Sequence, residues 1–298
     1  MTTIPDSAPA PEVRLGLPKG RMEAGVRSLL AAAGVQVAAE ARAYRPAVSL
    51  SGFGAKLLKP QNLVGMLAAG SRDVGFAGAD WVAELGADVV ELLDTGLDPV
   101  RLVVAAPAQL LRAGRLPDRA NGRPLVVVSE YERLARRWIA ANAPTAAFVR
   151  AYGATEVFPP EDADAILDNT ATGATLAANG LQVVDEVMRS TTRLYAHPRA
   201  LDDAGKRARI EGLVLCLRAA LAARARAMLD LNVGEADLAR VVAVLPCMRE
   251  PTVASLHRGS GFAVRAAVPR ADLPRLLPLL KAAGATDLVV SSCEQIVP

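Results

Sequence analysis

The chain reads as an α/β protein closed by an α+β module, and three features of its sequence predict that architecture. Short apolar runs alternate with segments of helical period through residues 13–222, the pattern of a sheet flanked by helices. Two of those runs pass straight into Gly-punctuated turns, Leu15-Gly-Leu-Pro-Lys-Gly-Arg21 and Asp73-Val-Gly-Phe-Ala-Gly-Ala-Asp-Trp81. This sets loops at the carboxyl ends of strands, where ligands of α/β proteins bind. From residue 223 the order becomes β-α-β-β-α-β, the ferredoxin-like pattern. A length of 298 residues leaves room for two or three domains and a substantial core.

The elements follow in order. Residues 13–17 form a strand, and Met22, Val26, Leu29, Leu30 and Ala33 recur at helical spacing up to Gly34, a natural helix stop. Residues 63–69 read as a short helix and 73–76 as a strand. The pattern restarts near Arg101 with an apolar strand at 102–106, a charged Pro/Gly-rich loop at 112–124 and a strand at 125–128. A helix over 130–141 sets Leu134, Trp138 and Ile139 on one face. Short strands are expected at 147–149 and 156–158, and a helix at 161–167. A long Arg/Ala/Leu helix, 203–222, leads to the last module. There, strands are expected at 227–231, 252–256, 262–268 and 287–291, with helices at 235–244 and 271–283.

Composition narrows the function. With 52% hydrophobic and 22% charged residues the chain fits a soluble globular protein, and 4% aromatic residues argue against a base-stacking nucleic-acid platform. The net charge of +3 is spread along the chain, with no dense basic run for DNA or a membrane surface. Cys216, Cys247 and Cys293 are scattered, and only His197 and His257 accompany them, which argues against a zinc site and suits a reducing cytoplasm. Residues 1–12 hold three prolines and no apolar stretch, so a frayed tail is expected rather than a signal peptide. No apolar run approaches the roughly 20 residues of a membrane helix.

The most informative segment is Asp168-Asn-Thr-Ala-Thr-Gly-Ala-Thr-Leu176. A short Thr/Gly loop opening a helix offers backbone N–H groups and hydroxyls to an anion, with help from the helix dipole. Asp168 ahead of it would accept hydrogen bonds from sugar hydroxyls, so the segment suggests a ribose phosphate. The alternative is an ordinary helix cap, for which Asp and Thr are common residues. Lys19 and Arg21, in a turn shaped by Pro18 and Gly20, suit pyrophosphate or triphosphate oxygens. Asp80 either accepts from a nucleotide or caps the helix that starts near Trp81.

These segments resemble the ATP phosphoribosyltransferase family, which opens histidine biosynthesis. The resemblance runs through nearly the whole chain. It includes residues 102–107, Ser129-Glu-Tyr-Glu-Arg-Leu-Ala135, Gly153-Ala-Thr-Glu156, Ala163-Asp164, Leu245-Pro246, Pro251-Thr-Val253 and Lys281-Ala-Ala-Gly-Ala285. It implies a two-lobed core like that of periplasmic binding proteins and a C-terminal ferredoxin-like (ACT-like) regulatory domain, the long form of the family. Lobe one would comprise residues 1–100, completed by 183–222; lobe two, 101–182; the regulatory domain, 223–298. The implied reaction joins N1 of the ATP adenine to C1 of phosphoribosyl pyrophosphate and expels pyrophosphate, with Mg²⁺ held largely by substrate oxygens and water.

The resemblance also assigns residues. Lys19, Arg21, Glu156 and Asp168 would serve catalysis. Asp80, Asp164, Ala171, Thr172, Gly173, Ala174, Thr175 and Leu176 would bind substrate, and Arg42 and Arg45 around Tyr44 would lie near ATP. Asp164, four residues before Asp168, would share its face if a helix ran through both; the alternative is a solvated helix residue. Pro251, Thr252, Val253 and Ser255 match a segment that takes part in feedback binding of histidine, and the family implies a cytoplasmic homohexamer built from dimers. No protein metal ligands are implied. Some positions depart from the pattern: Asn62 stands where Asp is common, Asn169 and Thr170 replace an apolar pair, and Ala171 replaces Ser or Glu. Rival readings are an inactive regulatory or ligand-binding paralogue, a two-lobed solute receptor, and a nucleobase phosphoribosyltransferase. None of the three accounts for the full order of motifs with Lys19, Arg21 and Asp168 all present.

Overall fold

The computed structural model describes residues 13–38, 44–248 and 250–297; residues 1–12 and Arg42 lie outside them. The chain forms two compact units, one from residues up to Ser28 and Gln36–Ile210, the other from Leu29–Val35 and residues from Glu211 onward. Along the chain run β1 (Val13–Pro18), α1 (Arg21–Ala32), β2 (Phe53–Leu58), α2 (Pro60–Ala68), β3 (Val74–Gly78), α3 (Ala79–Leu85) and β4 (Val90–Pro107). The hairpin β5 (Arg119–Ala120) and β6 (Arg123–Pro124) follows, then β7 (Val126–Ser129), α4 (Glu132–Asn142), β8 (Ala147–Arg150), β9 (Ala165–Thr170), α5 (Ala174–Ala178) and β10 (Leu181–Ala196). Next come α6 (Pro198–Asp202) and α7 (Ala204–Arg224). The last elements are β11 (Arg226–Val233), α8 (Leu238–Val244), β12 (Thr252–Ser255), β13 (Phe262–Pro269), α9 (Leu273–Ala282) and β14 (Thr286–Ser292).

The first unit is organised on one eight-stranded sheet of order β2-β1-β3-β10-β4-β9-β7-β8. Strands β2, β1 and β3 are mutually parallel at one end, and β9, β7 and β8 at the other. Between them β4 and β10 pair antiparallel along almost their whole length, with repeated register shifts. The sheet therefore has two halves joined by one long ribbon. Each half carries a buried apolar core, Leu15, Leu17, Val74 and Phe76 in one and Leu102, Val127, Ile166 and Leu167 in the other. Fully burying each such side chain is worth about 1.5–3 kcal/mol. Gly16 and Gly75 sit opposite one another on β1 and β3, and a Cβ on either would press on Leu63 of α2. These bare positions let α2 lie directly on the sheet.

The second unit has a four-stranded antiparallel sheet of order β12-β13-β11-β14, with Leu229, Leu231, Val264 and Val268 packed against Val241 of α8 and Leu276 and Leu280 of α9. In the module's own numbering this is strand order 2-3-1-4, as the ferredoxin-like pattern requires.

The structure corrects several local expectations. Residues 161–167 do not form a helix: Ala165-Ile-Leu167 begins the buried strand β9. Three contiguous apolar residues carry no period, so only their place between β4 and β7 decides the matter. Residues 156–158 are not a strand; Thr155–Val157 form a single 3₁₀ turn after Ala154, which has φ 47°. The strand expected at 102–106 extends over 18 residues. Its Asp98-Pro99 pair sits at an irregularity of the β4–β10 ladder, with Asp98 at φ 48°. Strand β2 has no counterpart in the sequence reading, and α3 is the helix expected near Trp81, begun two residues earlier.

Candidate active site

The site is assembled from the carboxyl ends of β1, β3, β7 and β9, beside the β4–β10 ribbon. After β1, Gly20 at φ +92° turns the chain so that Lys19 and Arg21 follow Pro18. Lys19 Nζ stands 4.6 Å from the centre of the Tyr44 ring. After β3, Gly78 leads into Asp80, and any side chain at Gly78 would collide with the Asp80 carboxylate. After β7 comes Tyr131, fully buried and stacked on Trp81 at 4.6 Å. The end of β9 supplies Asp168 and Asn169.

Two cavities open here. One, of about 100 Å³, is lined by residues that include Lys19, Arg21, Asp80, Asp98, Tyr131 and Asn169. The other, of about 290 Å³, is lined by Arg21, Glu156, Asp168, Asn169 and the 170–172 and 174–176 segments. Arg21 and Asn169 belong to both.

In the larger cavity the loop after β9 carries Gly173 at φ +81°, a conformation that favours glycine. Thr170 Oγ1 accepts from the Gly173 N–H at 3.0 Å, and Thr172 Oγ1 accepts from the Ala174 N–H at 3.3 Å. The loop's own hydroxyls thus hold amides that an anion would otherwise take. Helix α5 spans only Ala174–Ala178. A dipole needs aligned turns, so a helix this short adds little to what the loop could offer an anion. Asp168 accepts from Asn169 N at 2.6 Å and from the Thr155 hydroxyl. Burial pushes the Asp168 carboxyl up, with Glu156 and Asp80 adding to the rise, while Thr155 and Asn169 oppose it. Glu130 is also raised, first by burial and then by Asp168.

In the smaller cavity each carboxylate oxygen of Asp80 already accepts one internal hydrogen bond. Tyr131 Oη donates to Oδ2 at 2.7 Å and Ser190 Oγ donates to Oδ1 at 2.7 Å. Asp80 thus lines the cavity while serving as an internal acceptor, and its side chain caps no helix.

Asp164 does not join Asp168. It precedes β9, whereas Asp168 lies near its far end, a separation of about 13 Å at strand rise. Its carboxylate accepts from Arg123 Nη1 at 2.6 Å and from the Val126 N–H at 2.7 Å, so it ties β7 to β9. The premise of a shared helical face fails because the segment is a strand. Asn62 is exposed on α2 and does not line either cavity. The segment Pro251, Thr252, Val253 and Ser255 falls at the exposed edge strand β12 of the second unit. Sequence reading missed Thr155, Tyr131 and Ser190 as supports of the two aspartates. Thr155 and Tyr131 lay inside quoted motifs, so a polar or aromatic residue next to a strand end was the available signal. Ser190, mid-strand on β10, offered none.

The ATP phosphoribosyltransferase (HisG) family profile matches residues 59–219, and the profile of the HisG C-terminal domain matches 223–295. The chain is 34% identical over 278 residues to the ATP phosphoribosyltransferase of Chlorobium phaeovibrioides, covering 92% of this chain and 93% of that one. It is 34% identical over 292 residues to that of Pelotomaculum thermopropionicum, covering 96% and 100%. A solved chain of the ATP phosphoribosyl transferase (HisG:HisZ) complex from Thermotoga maritima shares the fold, with a TM-score of 0.58 at 22% identity over 69% of this chain and 98% of that one. Fold and relatives define a pentosyl-transferring glycosyltransferase. The chain belongs to the ATP phosphoribosyltransferase family, in its long form with a C-terminal domain.

Proposed function

We propose that the chain carries out its family's reaction, the first step of histidine biosynthesis, at these two cavities, with phosphoribosyl pyrophosphate in the larger and ATP entering through the smaller. The observation that carries this reading is the pair of polar cavities sharing Arg21 and Asn169, one with the Thr/Gly loop and the other with Lys19. Adenine N1 is unprotonated at neutral pH and attacks ribose C1 as the C1–O bond to pyrophosphate breaks, so neither a general base nor a protein nucleophile is required. The chain's task is orientation and charge stabilisation. The loop of Ala171, Thr172, Gly173, Ala174, Thr175 and Leu176 holds the 5-phosphate, the Gly173 and Ala174 amides exchanging the Thr170 and Thr172 hydroxyls for phosphate oxygens. Asp168 accepts from the ribose hydroxyls, and Glu156 in the same cavity faces the positive charge that builds on the ribose. Arg21 and Lys19 neutralise phosphate oxygens.

Carboxylate oxygens are the hard donors that Mg²⁺ prefers, and Asp168 and Glu156 line the cavity where pyrophosphate would leave. Among the described residues no group of three or more His, Cys, Asp or Glu is gathered as a metal cage. The ion would therefore be held by substrate oxygens, with these two carboxylates nearby; when bound it neutralises the leaving group. The two halves of the first unit act as two lobes, and residues 223–298 as the regulatory domain. There Pro251, Thr252, Val253 and Ser255 take part in histidine binding, and copies of the chain pair as a cytoplasmic homo-oligomer, dimer to hexamer. Among the described residues no helix is long and apolar enough to cross a membrane.

The test is incubation with ATP, phosphoribosyl pyrophosphate, Mg²⁺ and pyrophosphatase, following the ultraviolet absorbance of the N1-ribosylated product with and without histidine. Product formation suppressed by histidine is expected. Product without suppression removes the histidine site; no product from folded protein that binds both substrates favours an inactive paralogue.

A further inference from the structure

Between the two cavities runs a chain of side chains that neither cavity explains. Asn169 Nδ2 donates to Tyr131 Oη at 2.9 Å and to Asp168 Oδ1 at 3.3 Å. Tyr131 Oη in turn donates to Asp80 Oδ2 at 2.7 Å. The bonds have one sense: the amide feeds Asp168 on one side and the phenol on the other, and the phenol feeds Asp80. Two carboxylates are thereby tied together through one neutral amide and one neutral hydroxyl. The parts come from both halves of the sheet, Asp80 after β3, Tyr131 after β7 and Asn169 on β9. Ser190 of the joining ribbon holds the other oxygen of Asp80.

Tyr131 is itself fixed. It is fully buried, its ring stacks on Trp81, and its N–H donates to Ser129 Oγ at 2.9 Å, which donates to the Leu167 carbonyl at 2.6 Å. Asn169 is half-buried. An amide with two acceptors cannot be reoriented at one end without changing what it offers at the other.

We infer that Asn169 and Tyr131 are positioning residues that couple the two substrate cavities: a ligand that reorganises Asp80 in one resets the hydrogen bonds that orient Asp168 in the other, and the reverse. This rests on the assignment of the cavities to ATP and phosphoribosyl pyrophosphate. Coupling of this kind is reciprocal in binding and is an equilibrium property separate from the chemical step.

The test uses the full chain with phosphoribosyl pyrophosphate, Mg²⁺ and 1-deaza-ATP, which lacks the attacking N1, so that the ternary complex forms without reaction. In the unaltered protein, saturation with 1-deaza-ATP shifts the Kd of phosphoribosyl pyrophosphate by about 5-fold or more. Tyr131→Phe keeps the ring and its stacking but cannot donate to Asp80; Asn169→Leu keeps the bulk but cannot donate to either partner. In each the shift is expected to fall to unity, whatever the change in affinity for either ligand alone, and the double variant to add nothing further. A merely structural role would lower thermal stability and leave the shift intact. Unaltered coupling in the variants, or none in the parent protein, overturns the inference while leaving the assignment of the cavities standing. Failure of the parent to bind either ligand overturns both.

Discussion

The two ends of strands β3 and β9 each carry an aspartate, and the ends treat it in opposite ways. At the amino ends, Asp73 and Asp164 are held by cations. Asp73 accepts from Arg14 and Lys206 and from the Arg14 N–H, all within 2.9 Å; Asp164 accepts from Arg123 and the Val126 N–H. At the carboxyl ends, Asp80 and Asp168 are held by neutral hydroxyls and amides. Burial alone would raise Asp73, but the hydrogen bonds and charges of Arg14 and Lys206 win and bring its carboxyl to about 2. Asp168 has no such cation, and burial raises it. Cation-paired carboxylates staple strand starts; those at the cavities are left with neutral partners. What differs is the neighbourhood, since the residue type is the same.

Five measurements test this contrast, in order of expected effect. Asp168→Ala should cut kcat/KM for phosphoribosyl pyrophosphate by roughly 100-fold, about 3 kcal/mol, the loss of a charged acceptor for sugar hydroxyls. Its melting curve should stay cooperative, and wild-type affinity would remove Asp168 from the site. Asp73→Asn should cost about 3 kcal/mol in denaturant unfolding, because Arg14 and Lys206 lose their common partner, with activity per folded molecule unchanged. Asp164→Ala should cost about 2 kcal/mol of stability, chiefly from the orphaned Val126 N–H. If it instead raised the KM for phosphoribosyl pyrophosphate with no loss of stability, Asp164 would belong with the substrate after all.

The smallest effect has opposite signs at the two ends. Asp168→Asn should raise stability at neutral pH by about 1 kcal/mol while lowering activity, since it removes a charge that burial disfavours; a fall in stability would show that the charge is well paired. Acid titration follows the same logic. The stability that Asp73 contributes is fully present above its unfolded value of 3.8 and is lost as pH falls through about 2. Asp168, being raised, works the other way, and its proton is taken up more readily by the folded state, so its effect weakens stability as pH rises. Asp73→Asn should therefore flatten the acid limb of the unfolding curve below pH 4, as judged against the parent protein.

Much of this was legible locally. The helices that begin at Arg21 and Glu132 and the βαββαβ order of the second unit follow from apolar spacing and turn residues, which act over a few residues. The loop and short helix after Asp168 were also visible from their Thr and Gly residues, though the strand before them was read as a helix. The helix after the loop proved too short for the dipole first assigned to it. What the tertiary structure alone decided is how distant segments meet. Ala165-Ile-Leu167 is a strand because β4 and β7 flank it, and β4 runs through Asp98-Pro99 because β10 pairs with it on both sides of the irregularity. The partners of the aspartates show the same limit: Asp80 meets Ser190 across 110 residues and Tyr131 across 51, and Asp73 meets Lys206 across 133. A carboxylate's type and its place beside a strand are written in the sequence. Its charge state and task depend on the donors folded against it, and no local period carries that information.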